Sequence, residues 1–412
     1  MDPSLTSRAS SDLPAREVEL WPVAGTETDQ WVPSPAGLYT RRERQIQAGS
    51  YRRAVVPEIA RAYPRVSAEV AARIEEATAE IVRFDAGPGI DAVPFPAILL
   101  RTESAASSRI ERITASARAI ATAEVDEGAA GRNAGEIVAN THAMQAAIEL
   151  ADNLDVRAIL LMHQTLMAHQ PDIAGQWRRQ QIWIGAGEAG PRVADYVPPR
   201  HDTVPALMHD LTEFMTRTDM PVLIQAALAH AQFENIHPFV DGNGRTGRTL
   251  VHAILRNKGL TNQTTVPFSA GLLTDTRAYF DALAAYRDGN IVPIAAMLAT
   301  AAIRAIANAR ELTADLRSVR DRWAETLKVR QGAAAWRLAD LLVRQPVVTT
   351  ETVTRELGLL PSNVPRTVRP FEEAGILIRS AGSRRNSRVW RAPEVLAQLE
   401  GFADRAGRRN WA

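Results

Sequence analysis

The sequence predicts a mainly α chain: a large helical core with one small β-hairpin, followed by a smaller unit of three helices and a two-stranded ribbon. Three observations predict this. From Ser67 to Leu327 apolar residues recur at helical spacing, with cap residues before several runs and glycines after them. The run GQWRRQQIWIGAG, 175–187, alternates briefly between bounding glycines, as a strand or hairpin does. From Gly332 the pattern shortens and ends in LIRSAGSRRNSRVW, 377–390, two short runs around a basic turn.

In chain order, residues 1–50 are polar, without a regular period, and read as a partly ordered arm from which Trp21 and Trp31 dock on the body. SAEVAARIEEATAEIVRFD, 67–85, has a serine cap and apolar residues at Val70, Ile74, Ala77 and Ile81, an amphipathic helix. Leu99 to Ile120 reads as another helix, and Gly135–Asn153 and Val156–His169 as two more. His142, His163 and His169 fit no zinc spacing and read as core or surface histidines. Tyr196–Arg200, YVPPR, is an extended link, because residues before proline avoid the helical region. Helices follow at Pro205–Met215, Val222–Asn235, after residue 248, and at Asp275–Asp288. Val292–Leu327 reads as one long or two stacked helices whose charged end is a solvated face or a linker.

Composition bounds the function. A chain of 412 residues has room for two or three domains. The formal net charge of +1 gives no global case for nucleic acid or an anionic membrane. The absence of cysteine excludes disulfides, thiol catalysis and cysteine-ligated zinc, and fits a cytoplasmic location. The first twenty residues lack the apolar core of a signal peptide, and no run is expected to reach the roughly 18 apolar residues of a spanning helix, so no membrane is expected as a partner.

The chemistry concentrates in HPFVDGNGRTGR, His237 to Arg248. Helix-favouring QAALAHAQFENI precedes it and TLVHAILRNKG follows, so it is a loop between two helices with its glycines where the second helix begins. Glycines there let the backbone approach a ligand, and the helix N-terminus favours an anion such as phosphate. Asp241 can hold a divalent metal that also takes substrate phosphates. Arg245 and Arg248 share a helix face, and their forked guanidiniums suit phosphate oxygens. His237 is the natural general base for a hydroxyl attacking phosphorus. Asn243 can donate an amide N–H to the same phosphate, and Phe239 and Pro238 pack the loop. Gly242, Gly244 and Gly247 also spell GxGxxG, but a dinucleotide fold needs a preceding strand and an acid about 20 residues on. Leu260–Thr274 holds no acid, and the preceding segment is helical in pattern.

The loop resembles the Fic family signature HxFx(D/E)GNGRxxR at all eight of its fixed positions. The resemblance implies a mainly helical Fic-type core and transfer of AMP from Mg·ATP to a Ser, Thr or Tyr hydroxyl of a protein. By that resemblance His237 is the base, Asp241 the Mg²⁺ ligand, Gly242, Asn243 and Gly244 the anion hole, and Arg245 and Arg248 the phosphate clamps. Ser107 and Glu111, in SSRIE, match the family's inhibitory motif (S/T)xxxE(G/N), while Arg112 stands where Gly or Asn is expected. A glutamate lying on Arg248 would occupy a guanidinium that should clamp phosphate. The run 175–187 resembles the Fic flap, with Trp183 and Ile184 as contacts for a target segment added as a strand.

The C-terminal run of three helices and a ribbon resembles a winged helix. Over 361–412 ten Arg stand against five Asp or Glu, and Arg384, Arg385 and Arg388 on the ribbon could neutralise phosphates. Pro365 and Pro370 are expected to interrupt the third helix. The expected organisation is an N-terminal region over 1–98, a Fic core over 99–300 with an inhibitory helix at about 99–120 and a flap at about 175–187, a helical linker over 301–331, and a winged-helix-like unit over 332–412. The expected partners are ATP and a protein target, which the chain itself could supply, with a homodimer allowed. Two other readings stay open: removal of AMP at the same site, and a DNA-binding regulator whose core senses nucleotide.

Overall fold

A computed structural model describes residues 21–32, 47–87, 95–129, 131–185, 190–330, 334–381 and 388–407. Two strands, β1 (Gly25–Trp31) and β2 (Gly49–Val55), pair antiparallel from Gly25↔Val55 to Trp31↔Gly49. The region expected to be an irregular arm is therefore partly a sheet. Its residues are mostly polar because only Tyr51 and Ala54 turn a buried side chain inward, too few to leave an alternating signal. Trp21 docks as expected, its indole against Phe214 and Tyr286 at 6.1 and 5.9 Å.

The helices in order are α1 (Ala68–Asp85), α2 (Phe95–Ile110), α3 (Ala117–Ala123), α4 (Arg132–Glu149), α5 (Val156–Leu166), α6 (Val204–Thr216), α7 (Val222–Ile236) and α8 (Asn243–Asn257). They continue with α9 (Phe268–Leu272), α10 (Thr276–Arg287) and α11 (Val292–Thr326). Serine or aspartate caps start several of them, Ser67 on α1, Ser116 on α3, Asp155 on α5 and Asp275 on α10. Helix α7 is buried nearly all round and, with α8, forms the centre of the first core. The single helix expected over Leu99–Ile120 is two, α2 and α3, broken at Arg112.

That break has a defined geometry. Arg112 adopts the left-handed conformation at φ 63°. Its N–H bonds the Arg109 carbonyl at 3.0 Å, and the Ile113 N–H reaches back to the Ser108 carbonyl at 3.0 Å. This is the pair of bonds that ends a helix with glycine at the left-handed position. Here arginine occupies it, at a steric cost of about 1–2 kcal/mol.

Helix α11 runs 35 residues, about 50 Å. Its first half packs Ile294, Leu298, Ala302 and Ile306 into the first core. Its second half carries Leu312, Leu316, Val319 and Trp323 into a second core with the C-terminal unit. The charged stretch expected to be a linker is thus a core wall, with its charges on the outer face. An 18-residue window of α11 reaches a mean hydropathy of 1.5, which corrects the expectation that no stretch is apolar enough to span a membrane; 56% of that window is buried inside the fold.

The C-terminal unit is α12 (Ala334–Arg344), β3 (Val347–Thr349), α13 (Thr350–Leu357), α14 (Val364–Glu373), β4 (Ile378–Ala381), β5 (Arg388–Arg391) and α15 (Pro393–Ala406). The strands form one antiparallel sheet in the order β3-β5-β4. Strand β3 and helix α15 extend the expected three helices and ribbon. The prolines do not interrupt α14: Pro365 sits in the first turn, where no N–H is needed, and Pro370 lies inside a helix that continues through it. Arg388 is exposed on β5, whereas Arg384 and Arg385 lie outside the described residues.

Helix α2 belongs to both cores. Leu99 and Ile110 face the first, while Phe95, Ile98 and Ala106 face the second. Arg101 ties it to the C-terminal unit through the Arg344 carbonyl at 2.9 Å and Gln345 at 3.0 Å, and pairs with Glu124 at 2.6 Å. Arg109 donates to the Ala403 carbonyl of α15 at 2.8 Å. On the other side Glu103, fully buried, accepts from Ser269 and meets His252 of α8 at 2.9 Å.

Candidate active site

Helix α7 ends at His237, which takes the left-handed conformation at φ 48° and ψ 63°. A non-glycine residue there costs about 1–3 kcal/mol and persists only when its surroundings hold it. Arg178 does the holding. Its guanidinium, 2% exposed, donates to the carbonyls of His237 at 2.9 Å, Ile236 at 3.4 Å, Pro199 at 2.5 Å and Gln180 at 3.2 Å. Its own N–H donates to Pro238 at 2.9 Å. One side chain from the 175–187 run therefore fixes the backbone that presents His237.

The loop beyond is closed from within. Asn243 accepts from the Phe239 N–H and donates to the Phe239 carbonyl, both at 2.9 Å. The oxygen and one N–H of its amide close the turn, which leaves the second amide N–H, and the backbone N–H at the start of α8, as groups that an anion could use. Phe239 is fully buried and stacks on His163 at 3.6 Å. His163 accepts from the Gly175 N–H at 3.0 Å and meets the Asp241 carbonyl at 3.0 Å, which places its proton on Nε2. It is a core histidine, as expected, and it links the start of the flap to the loop. Gly242, at φ 76°, makes the left-handed turn into α8.

Arg245 and Arg248, 2% and 3% exposed, lie on the first turns of α8 and differ in their partners. Arg248 donates through Nε to Ser107 Oγ at 2.9 Å, and through Nη2 to the Ser107 carbonyl at 2.9 Å and Glu111 Oε1 at 2.8 Å. Burial is the largest single influence and opposes its charge, but Glu111, Tyr279 and Glu234 together outweigh it and hold the guanidinium above its usual range. Arg245 has Nε and Nη1 buried without a hydrogen-bond partner, and Glu136 and Asp241 stand off at 3.7 Å. Orphaned buried donors are costly, and here they border a cleft. A Cβ placed on Gly244 would fall 2.0 Å from Glu111 Oε1, so the Glu111 carboxylate rests on the first turn of α8. That is where the N–H groups of a helix start hold an anion.

The cleft, of about 610 Å³, gathers Glu111, Glu136, Glu234, His237, Asp241, Gly244, Arg245 and Arg248. Burial, partly offset by the Glu234 carbonyl, lowers His237 to about 4, so the imidazole is neutral near pH 7. Its Nδ1 lies 3.3 Å from that carbonyl, which leaves Nε2 to accept a proton. The Asp241 carboxylate is 54% exposed and accepts from the Gly242 N–H at 2.6 Å. Among the described residues no three His, Cys, Asp or Glu side chains cluster to hold a metal.

Of the flap contacts, Ile184 borders the cleft and Trp183 meets Trp31 edge-on at 4.9 Å. The expected hairpin is reduced, among the described residues, to one antiparallel bridge, Ile184↔Tyr196. The arginine and the Pro198–Pro199 pair explain this: the carbonyls of a ladder are taken by Arg178 and Gln181 side chains instead. Arg388 belongs to the second core's sheet and takes no part in the cleft.

The family profile described as the Fic/DOC family matches residues 153–255, which hold the loop and both its helices. Residues 153–255 belong to the Fic/DOC family. The chain is 29% identical over 172 residues to the Protein adenylyltransferase Fic of Nematostella vectensis, covering 41% of this chain and 35% of that protein. It is 26% identical over 227 residues to the protein of the same name from Drosophila virilis, covering 54% of this chain and 39% of that one. The chain thus spans well under half the length of these curated relatives. A crystal structure of a Fic family protein from Desulfovibrio desulfuricans shares the fold, with a TM-score of 0.51 at 23% identity over 80% of this chain and 97% of that one.

Arg178, Glu136, Glu234 and Glu103 escaped the sequence reading. Only Glu234 carried a usable signal, three residues before His237 on one helix.

Proposed function

We propose that the chain transfers AMP from Mg·ATP to a hydroxyl of a Ser, Thr or Tyr residue on a protein, and that Glu111 holds this activity in check. The observation that carries the reading is the division between the two arginines: Arg245 keeps buried donors free beside the cleft, while Arg248 is occupied by Ser107 and Glu111. Two phosphate clamps with one blocked describe a nucleotide site whose productive pose is obstructed. The names of the relatives support the reaction class.

In this reading the triphosphate lies over Gly244 and the α8 N-terminus, with Arg245 and the freed Arg248 on its oxygens. His237, neutral and backed by the Glu234 carbonyl, takes the hydroxyl proton through Nε2. Asp241 suits Mg²⁺, which binds proteins through one or two carboxylates and completes its shell with phosphates and water; it would neutralise charge on the phosphates. The flap, fixed by Arg178, sets the distance between target backbone and His237.

The test is incubation with labelled ATP, and separately with other labelled nucleotides, reading label on the chain and on cell-extract proteins. Label from ATP that disappears with His237→Ala supports transfer; no label from any nucleotide, with Glu111 replaced by glycine, refutes it. A gel-shift with genomic fragments, with and without ATP, tests the separate reading in which the C-terminal unit binds DNA and the cleft senses nucleotide.

A further inference from the structure

Glu234 lies one turn before His237 on α7, and its side chain is 12% exposed. Its Oε2 stands 3.7 Å from His237 Nδ1, and its Oε1 has no hydrogen-bond partner. A buried carboxylate without donors is costly, so its place needs a reason. Helix α8 makes room for it: a Cβ on Gly247 would come within 3.0 Å of Oε1, so a side chain there would press on the carboxylate.

The groups around it come from four elements: Arg248 on α8, Glu111 at the end of α2, Tyr279 and Arg287 on α10, and His230 and His237 on α7. His230 is engaged with the Tyr279 hydroxyl at 2.7 Å. Arg248 is engaged with Ser107 and Glu111. Arg287 bonds Asn235 at 3.0 Å and lies over the Tyr196 ring. The remaining neighbour, His237, is the one whose charge changes when it takes a proton.

We propose that Glu234 is a positioning residue for His237: its carboxylate shares the Nδ1 proton with the Glu234 carbonyl, aims Nε2 into the cleft, and stabilises the imidazolium. The proposal rests on the reading of His237 as base. In that step the hydroxyl oxygen bonds the α-phosphorus, the bond from phosphorus to pyrophosphate breaks and its electron pair leaves with pyrophosphate. The hydroxyl proton goes to Nε2, and Glu234 stays ionised throughout, as the carboxylate of a Ser-His-Asp triad does.

Burial pushes the Glu234 carboxyl up to about 7, against the pull of Arg248. The carboxylate is therefore present above neutral pH and lost below it. Transfer should rise with pH through a limb near 7, distinct from the His237 limb near 4.

The experiment uses the full chain carrying Glu111→Gly, with and without Glu234→Gln, and with His237→Ala as control. Transfer from labelled ATP is followed from about pH 5.5 to about pH 8.5. Glu234→Gln should lower kcat about tenfold, less than full loss of a base because the carbonyl still holds Nδ1–H. It should leave the KM for ATP unchanged, showing an intact fold, and abolish the limb near 7. A variant with parental kcat and pH profile, in a chain that needs His237, overturns the role of Glu234 and leaves the adenylyl-transfer reading standing. A Glu111→Gly parent that labels nothing overturns both. Without turnover, the ¹⁵N signals of the His237 ring read the same contact: Glu234→Gln should lower its titration midpoint, and an unmoved midpoint overturns the proposal.

Discussion

Replacing Glu111 with glycine removes one charge from a guanidinium that has nowhere else to go. The bond from Arg248 Nη2 is 2.8 Å, and Arg248 is 3% exposed while Glu111 is 37% exposed. A hydrogen bond between charged groups contributes about 1.5–3 kcal/mol. Solvent reaches the glutamate and screens it, which moves the figure towards about 1–2 kcal/mol. At about 1.4 kcal/mol per factor of ten, release of Arg248 should raise transfer roughly five- to thirtyfold. The end of α2 should survive the change, since its closing bonds come from the Arg112 and Ile113 N–H groups and not from the glutamate. The assay is label from ATP on the chain and on extract proteins, compared across Glu111→Gly, Arg248→Ala and the double variant. The double variant should be inactive, because freeing a clamp helps only if the clamp exists. Glu111→Gly that labels no faster than the parent, in a chain whose labelling requires His237, would falsify the brake. A chase with unlabelled ATP on pre-labelled protein separates the alternative: if label persists only because its removal has stopped, Glu111 serves the reverse reaction.

His237→Ala should abolish transfer and leave ATP affinity nearly intact, since the base acts in the transition state; calorimetry with ATP checks the second half. Asp241→Ala should remove most activity and shift its Mg²⁺ requirement upward, and an unchanged metal dependence counts against the role. Arg112→Gly should relieve about 1 kcal/mol of left-handed strain and lower basal labelling by firming the end of α2; chemical denaturation and the labelling assay read the two effects. Stability should rise with pH between about 4 and 6.5, because burial depresses His163, His230 and His237 to about 4, 3 and 4 from 6.5, so the unfolded chain binds more protons there. Glu234, raised by burial from 4.5 to about 7, works in the opposite sense over most of that window, one group against three. Melting temperatures across this range that stay flat or fall would refute the neutral burial of these rings.

What the sequence revealed was local. The 237–248 loop was legible because its chemistry sits in twelve consecutive residues with helix-forming runs on either side. Ser107 and Glu111 were legible as a motif, and their contact with Arg248 is present in the fold. Arg112 drew notice as a departure, and its positive φ gives the reason that a small residue is expected there. Arg178 could not be read, because its carbonyl partners lie up to 59 residues away. The turn-closing role of Asn243 went unread although its partner, Phe239, is only four residues back, because a turn-closing amide looks identical to a ligand-facing one in one dimension. The second core was missed because α11 reads as charged where only its outer face is.

The sharing of α2 between two cores limits where this chain can be divided. A cut at residue 331 follows the change in sequence character, yet it would remove the larger part of the core that holds Phe95, Ile98 and Ala106, and leave the Arg101 and Arg109 guanidiniums without the Arg344 and Ala403 carbonyls. The segment bearing Glu111 would then be held from one side alone, through Glu103, Ser104, Ser107 and Ser108. Under the proposed function, any transfer measured on such a fragment would report a loosened α2 and not the intact chain. In mechanical terms, α2 is clasped between two jaws, the described C-terminal residues on Arg101 and Arg109 and α8 on Ser107 and Glu111.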